Sequence, residues 1–252
     1  MRLILKIVFI LVPLLFIIIY GLVFYDLPSK ADIAAFTPSS TVTNLNALNF
    51  KLYMPSPTRS YVPLSQISGN LKNSVILSED DEFYKHNGIN MNQVKIVFQE
   101  SWENGKITRG ASTITMQLAR TAFLSNEKSL LRKLKEIVIA RRIEDTLSKK
   151  RILELYLNLV EWGPNIYGAE AASWYYFDKS ASQLDLSESS LLAAILINPI
   201  RFNPHFRLSS ARKLQHRVLK LLKNSRYISS DEMDFYNAMP IYIRSQEKII
   251  LY

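Results

Sequence analysis

Apolar residues recur every three or four positions through most of the chain after residue 62, and that spacing is typical of amphipathic helices. Few segments alternate with a period of two, and no internal repeat is present, so the pattern predicts a mostly α domain. The helices it predicts cover Leu130–Leu147, Lys149–Leu159, Gly168–Tyr176 and Ser187–Ile197, with a break at Glu161–Asn165 and a final basic helix capped by Ser209.

The run from Ile7 to Tyr25 carries no charge and is almost wholly apolar. Its 19 residues would form a helix roughly 28 Å long, close to the thickness of a bilayer's hydrocarbon core. Pro13 is tolerated in such a helix. The alternative is a cleaved signal peptide, whose apolar region is normally shorter and ends in small residues that this run lacks. The sequence therefore predicts an uncleaved single-pass anchor within residues 1–25.

Positive charge precedes the anchor, because Arg2 and Lys6 lie ahead of the apolar run. The positive-inside tendency then places the amino terminus in the cytoplasm and the rest of the chain outside it. Residues 26–60 contain several Pro, Ser and Thr and have no sustained period, so they are predicted to form a juxtamembrane stalk. Residues 61–252 are predicted to form the folded domain.

The formal net charge of the 252-residue chain is +9, which favours anionic partners such as lipid headgroups or a lipid-linked phosphate. Nucleic acid is not expected, since no zinc-finger, helix-turn-helix or RNA-binding signature accompanies the charge. The chain has no cysteine, which excludes disulfides, thiolate catalysis and Cys-based zinc sites.

Glu79 opens an acidic cluster that continues through Asp80, Asp81 and Glu82 and is followed by Phe83. On a helix, Glu79 and Phe83 would share a face, and partial burial would raise the carboxyl pKa toward that of a useful base. Two alternatives stay open. The acids could complement the start of a helix, or they could bind a divalent cation, Mg²⁺ or Mn²⁺, that assists a diphosphate.

Gly110–Thr115 supplies three hydroxyls within four residues, and Gln117 and Arg120 follow. Hydroxyl, amide and guanidinium groups are suitable donors to diphosphate oxygens. The segment lacks the Gly-Lys-Ser/Thr ending of a P-loop. Its alternative interpretation is a Ser/Thr-rich loop that caps a helix.

Glu136 lies in a basic helix, where Arg132 and Lys133 stand four and three residues before it and so share its face. The alternative is an ordinary surface ion pair, worth a few tenths of a kcal/mol. The three histidines have no metal-ligand spacing and are predicted to be structural: His86, His205 and His216.

Together these segments resemble the peptidoglycan glycosyltransferase (transglycosylase) family, specifically its monofunctional biosynthetic members. The resemblance covers roughly residues 60–205 and rests on five blocks in order. They are Glu79-Asp80 through Phe83, His86 and Gly88; Gly110–Thr115 with Gln117; Arg132-Lys133-x-x-Glu136; Ser148–Asn158; and Glu161–Pro164 through Gly168–Ala172 and Tyr176-Phe177.

Two positions depart from the pattern of that family. Met116 stands where the first of two adjacent glutamines is usual, and Arg120-Thr121 stands where Lys-Asn is customary. Arginine keeps the charge and adds bidentate geometry, so phosphate binding should survive. The bifunctional relatives carry a penicillin-binding domain, and the Ser-Asp-Asn and Lys-Thr-Gly motifs of such a domain are absent from this chain.

The resemblance implies a lysozyme-like all-α domain with a small membrane-apposed subdomain, anchored on the outer face of a bacterial inner membrane. It implies lipid II as acceptor, a lipid-linked nascent glycan as donor, and other cell-wall synthesis or division proteins as partners. By the same resemblance Glu79 is the general base, Glu136 orients or assists, and the diphosphate is held by Ser112, Gln117, Arg120, Lys128, Arg132 and Lys135.

Two other functions compete with glycan polymerisation. One is a glycan-cleaving muramidase or lytic transglycosylase, which also relies on a carboxylate but has no diphosphate to stabilise. The other is a membrane-tethered cell-wall scaffold without catalysis. The two glutamates and the basic set favour the polymerase over both.

Overall fold

The computed structural model describes residues 2–38, 61–105, 110, 112–125, 127 and 129–244, and it describes only the backbone of residues 2–8 and 10. Two short 3₁₀ turns, at Leu64–Gln66 and Ala181–Gln183, accompany the helices and strands. These are α1 (Arg2–Phe24), α2 (Lys30–Ala35), α3 (Gly69–Glu79), α4 (Met91–Asn104), α5 (Ile114–Phe123), α6 (Leu130–Thr146), α7 (Lys149–Leu159), β1 (Glu161–Gly163), β2 (Ile166–Tyr167), α8 (Ala169–Phe177), α9 (Leu186–Ile195), α10 (Pro204–Asn224) and α11 (Ser230–Ala238).

The mostly α prediction is confirmed, and four of the predicted helices correspond to α6, α7, α8 and α9 with ends within two residues. The predicted break at Glu161–Asn165 is an antiparallel hairpin in which β1 pairs with β2. The basic helix predicted to follow Ser209 corresponds to the part of α10 beyond Arg207, but it is not the final helix, because α11 follows it. α10 begins earlier, at Pro204, because Asn203 caps it by accepting a hydrogen bond from the His205 amide, and Arg207 then interrupts it with non-helical backbone.

The centre of the domain is α9, in which nine of the ten residues are buried and Glu188 is partly buried. A helix that is covered all round needs neighbours on several sides, and α9 packs against α3, α10 and α11. The side-chain amide of Gln215 on α10 bonds two buried serines of α9, donating to the Ser187 carbonyl at 2.8 Å and to the Ser190 hydroxyl at 3.1 Å. α3 is thereby fixed in place, and its last residue is Glu79.

A second packing unit carries the remaining predicted site residues. α5 packs against both α6 and α7. The apolar side of this unit includes Ile114, Leu118, Ile139 and Ile152, none more than 1% exposed. The unit holds the polar faces of α5, α6 and α7 close to the end of α3.

Residues 26–38, which the sequence assigns to the stalk, instead contact α6. The side chain of Ile33 is fully buried. Arg142 donates to the Pro28 carbonyl at 2.8 Å, and Lys30 pairs with Asp145 at 3.1 Å. The rest of the predicted stalk, residues 39–60, lies outside the described residues.

α1 contacts α6, and α1 contains Pro13. Across the portion of the chain that the structure describes, no helix combines the length and apolarity needed to cross a membrane.

α4 has no buried residue, and its Phe98 and Trp102 side chains are 67% and 81% exposed.

Candidate active site

Glu79 lies at the carboxyl end of α3, where Asp80 leaves the helix with φ −164° and ψ 73°. The prediction that Glu79 and Phe83 share a helix face was therefore wrong, because the helix ends between them. The alternative of an acidic helix start is also wrong, since the acids end α3 and lead out of it. Phe83 is nevertheless fully buried beneath this turn.

The Glu79 carboxylate has one direct donor and one nearby cation. The side-chain amide of Gln117 on α5 donates to Oε2 of Glu79 at 2.7 Å. Burial raises the pKa of Glu79, and the Gln117 hydrogen bond and the Arg120 charge oppose that rise in part. A carboxyl with a raised pKa is a stronger base than an exposed one, as a general base near neutral pH requires.

Gln117 is itself held at its other end. The buried Tyr156 hydroxyl on α7 donates to Oε1 of Gln117 at 3.1 Å. Burial and the Glu79 charge raise the pKa of Tyr156, so the phenol stays protonated and remains a donor. Gln117, predicted to bind diphosphate, is thus placed as a support for Glu79. Tyr156 was missed as a site residue, although it lies within the fourth block of the resemblance.

Asp80 ties the Glu79 turn to α5. Its buried carboxylate lies 2.9 and 3.0 Å from His86 Nε2 and accepts a 3.0 Å bond from the Ile114 amide at the start of α5. The Thr113 hydroxyl donates to the Gly88 carbonyl at 2.6 Å. These bonds join the loop after α3 to the amino end of α5 at two points, which fixes Glu79 relative to Gln117.

Glu136 forms a separate cluster, and its side chain is only 1% exposed. Arg132 donates to Oε2 at 2.7 Å and Lys133 to Oε1 at 2.6 Å. Lys133 also donates to the Ser112 hydroxyl at 2.9 Å. The surface-pair alternative is wrong, because the Glu136 side chain is buried and receives both cations there. The cluster holds two cations against one anion, and it keeps Ser112 beside them.

The remaining predicted residues are placed differently. Lys135 donates to the Tyr25 carbonyl at 3.1 Å, beyond the end of α1, and so supports the contact between α1 and α6. Lys128 lies outside the described residues. Met116 is 2% exposed and belongs to the hydrophobic core, which accounts for an apolar side chain at a position where the family usually has glutamine.

The acidic cluster does not form a cation site. Asp80 is committed to His86 and α5, while Glu82 points away and accepts from Asn92 at 3.1 Å. Within the described residues no group of three or more His, Cys, Asp or Glu side chains could hold a metal ion. His205 stacks on Tyr176, as expected of a structural histidine.

The structure thus separates two chemical environments joined by α5. One contains the partly buried Glu79 carboxylate, whose pKa is raised, with an amide, a phenol and Arg120 around it. The other contains a hydroxyl and two cations grouped around a buried carboxylate. The first can remove a proton, and the second can bind an anion.

The sequence model of the Transglycosylase family matches residues 48–223. A biosynthetic peptidoglycan transglycosylase of Thiobacillus denitrificans is 45% identical over 68% of this chain and 71% of its own length. The protein of the same description from Herminiimonas arsenicoxydans is 36% identical over 81% of this chain and 90% of its own length. The protein of the same description from Paraburkholderia xenovorans is 47% identical over 60% of this chain and 62% of its own length. Among solved structures, penicillin-binding protein 1A from Haemophilus influenzae is 30% identical with a TM-score of 0.36, covering 52% of this chain and 16% of that one.

Proposed function

Because this chain belongs to the transglycosylase family, we infer that it is a peptidoglycan glycosyltransferase, and we propose that it polymerises glycan chains from lipid II. The observation that carries the proposal is a partly buried carboxylate of raised pKa, Glu79, which the Gln117 amide holds, on a scaffold that also presents a cationic cluster. Proton removal and diphosphate departure are the two demands of this transfer.

In the proposed reaction, Glu79 removes the proton from the 4-hydroxyl of lipid II. The hydroxyl oxygen attacks the anomeric carbon of the lipid-linked glycan, a new glycosidic bond forms with inversion, and undecaprenyl diphosphate leaves. Gln117 and Tyr156 hold the carboxylate in place. Well-placed general bases contribute on the order of 10² to 10⁴ in rate.

Charge accumulates on the departing diphosphate, so fixed cations accelerate this step. Arg120 has no hydrogen-bond partner for its side chain among the described residues, although it lies near enough to Glu79 to lower that group's pKa. We assign Arg120, together with Arg132 and Ser112, to the diphosphate. Lys128 keeps its sequence-based assignment as a further diphosphate ligand.

Glycan cleavage is the second candidate, and one assay separates it from polymerisation. Purified protein is incubated with lipid II alone and, separately, with preformed uncrosslinked glycan, and products are resolved by size. The proposal expects polymer from the first and unchanged glycan from the second. Shortened glycan would identify a cleaving enzyme, and the absence of change in both would favour a scaffold.

We also propose that residues 7–25 anchor the protein in the bacterial inner membrane, with the domain on the outer face. The 19-residue uncharged run and the preceding Arg2 and Lys6 support this topology. The exposed apolar side chains of α4 fit a membrane-apposed subdomain. Protease added to intact spheroplasts should digest the domain. Digestion only after lysis would contradict the topology.

A further inference from the structure

Lys133 connects Glu136 to Ser112, the hydroxyl that the proposed function assigns to the diphosphate. One N–H of the ammonium bonds Glu136 at 2.6 Å, and another bonds the Ser112 hydroxyl oxygen at 2.9 Å. The ammonium has three donors and no acceptor. Ser112 must therefore accept from Lys133, and its own hydrogen stays available to another acceptor.

The direction of the hydrogen bond between Lys133 and Ser112 matters, because a bound anion needs hydrogen-bond donors. A serine hydroxyl can donate or accept, and its hydrogen rotates to suit its neighbours. With a lone pair of Ser112 occupied by Lys133, the O–H is directed away from the ammonium and is polarised by it. A hydroxyl in this state is a stronger donor to a phosphate oxygen.

Glu136 is the third member of this hydrogen-bonded series, after Ser112 and Lys133. Its side chain is 1% exposed, whereas that of Lys133 is 36% exposed. A lysine with this exposure would sample many rotamers, and the buried carboxylate holds its ammonium at one point. No hydrogen bond or ion pair among the described residues links Glu136 to Glu79.

We propose that Lys133 is a positioning residue that orients the Ser112 hydroxyl as a donor to the diphosphate leaving group, and that Glu136 acts through Lys133. The inference rests on the proposed function. It assigns Glu79 to the acceptor and Glu136 to the departure of the donor's diphosphate. Lys133 acts through Ser112 and does not itself need to touch the substrate.

The test is a double-mutant cycle in the full-length protein with lipid II. Lys133→Met and Ser112→Ala should each lower kcat about 10- to 100-fold, as expected for loss of a charge-assisted hydrogen bond, with a smaller change in KM. The double variant should be no more than a few-fold worse than either single variant, because both remove the same donor. Lys133→Arg, which keeps charge and donors, should recover most of kcat.

Lys149 provides the matched control, since its ammonium bonds the buried Glu144 carboxylate at 2.7 Å outside this cluster. The fold-changes in kcat caused by Lys149→Met and by Ser112→Ala should multiply in the double variant, because the two residues do not share a hydrogen bond. Thermal unfolding of each variant separates loss of fold from loss of rate. Independent effects of Lys133 and Ser112, or failure of Lys133→Arg to recover kcat while folded, would overturn the inference. Absence of polymer with the unaltered protein would instead contradict the proposed function.

Discussion

The position of Glu79 at the end of α3 suits its carboxylate to the proposed role of general base. Burial raises its pKa, while the Gln117 amide and the Arg120 charge keep the ionised form accessible. A useful general base needs both burial and stabilisation of its ionised form. An exposed carboxylate would be a weak base, and a buried one without a donor would remain protonated.

The pH dependence of turnover should report this balance. The base is active when ionised, so the rate falls as pH decreases through a pKa above the usual 4.5 of glutamate. Gln117→Leu removes a hydrogen bond to the charged form, and the acidic limb of kcat/KM should move to higher pH. Thr121→Ala, an exposed change on the same helix, should leave the limb in place. An unmoved limb in Gln117→Leu would mean that another group titrates.

At this scale the sequence predicts residue types well and their partners less well. The blocks identify Glu79, Glu136 and their neighbouring cations. They do not reveal that Gln117 supports Glu79 or that Lys135 bonds the Tyr25 carbonyl, because those contacts join residues 38 and 110 positions apart. Spacing reports neighbours along a helix, and only packing reports neighbours between helices.

Among the secondary-structure elements, the hairpin β1–β2 and the start of α8 depend on glycine. Gly168 has φ +89°, and a Cβ there would lie 2.8 Å from the Asn158 carbonyl oxygen. The turn must pass this close because the Gly168 amide donates to the Val160 carbonyl at 3.0 Å. An apolar period cannot predict this hairpin, since β1 has three residues and β2 two.

Gly168→Ala should therefore lower the free energy of unfolding by about 1–3 kcal/mol through strain and the contact with Asn158. Gly69→Ala is the control, because Gly69 lies in the first turn of α3 with nothing within 4 Å of the added Cβ. That change should be neutral or stabilising by roughly 0.5–1 kcal/mol. Denaturant unfolding measures both. Equal stability of the two variants would mean that the turn relaxes without cost.

Over the whole molecule, the segment after α1 belongs to the folded domain. Ile33 is fully buried, and two cations from α6 bond backbone carbonyls that precede it, those of Tyr25 and Pro28. The sequence could not show this, because a six-residue helix with one buried residue has no measurable period. The proposed anchor is thus joined to the helix that carries Glu136.

Ile33→Ala should destabilise the domain by about 2–5 kcal/mol, as is typical of a buried aliphatic truncated to alanine. Lys30→Ala, which removes only an exposed pair with Asp145, should cost less than about 1 kcal/mol. Thermal or denaturant unfolding in detergent compares the two. A loss for Ile33→Ala no larger than that for Lys30→Ala would show that residues 26–38 do not dock in solution.

The proposed function depends most on Glu79, which we propose removes the acceptor's proton. The direct measurement is the initial rate of lipid II polymerisation by Glu79→Gln beside the unaltered protein, with binding of a phosphoglycolipid donor mimic measured on both. Glutamine keeps the shape and the contact near Gln117 but cannot accept the proton. We expect a rate lower by about 10² to 10⁴ with binding retained. Polymerisation by Glu79→Gln at near the normal rate would show that another group removes the proton.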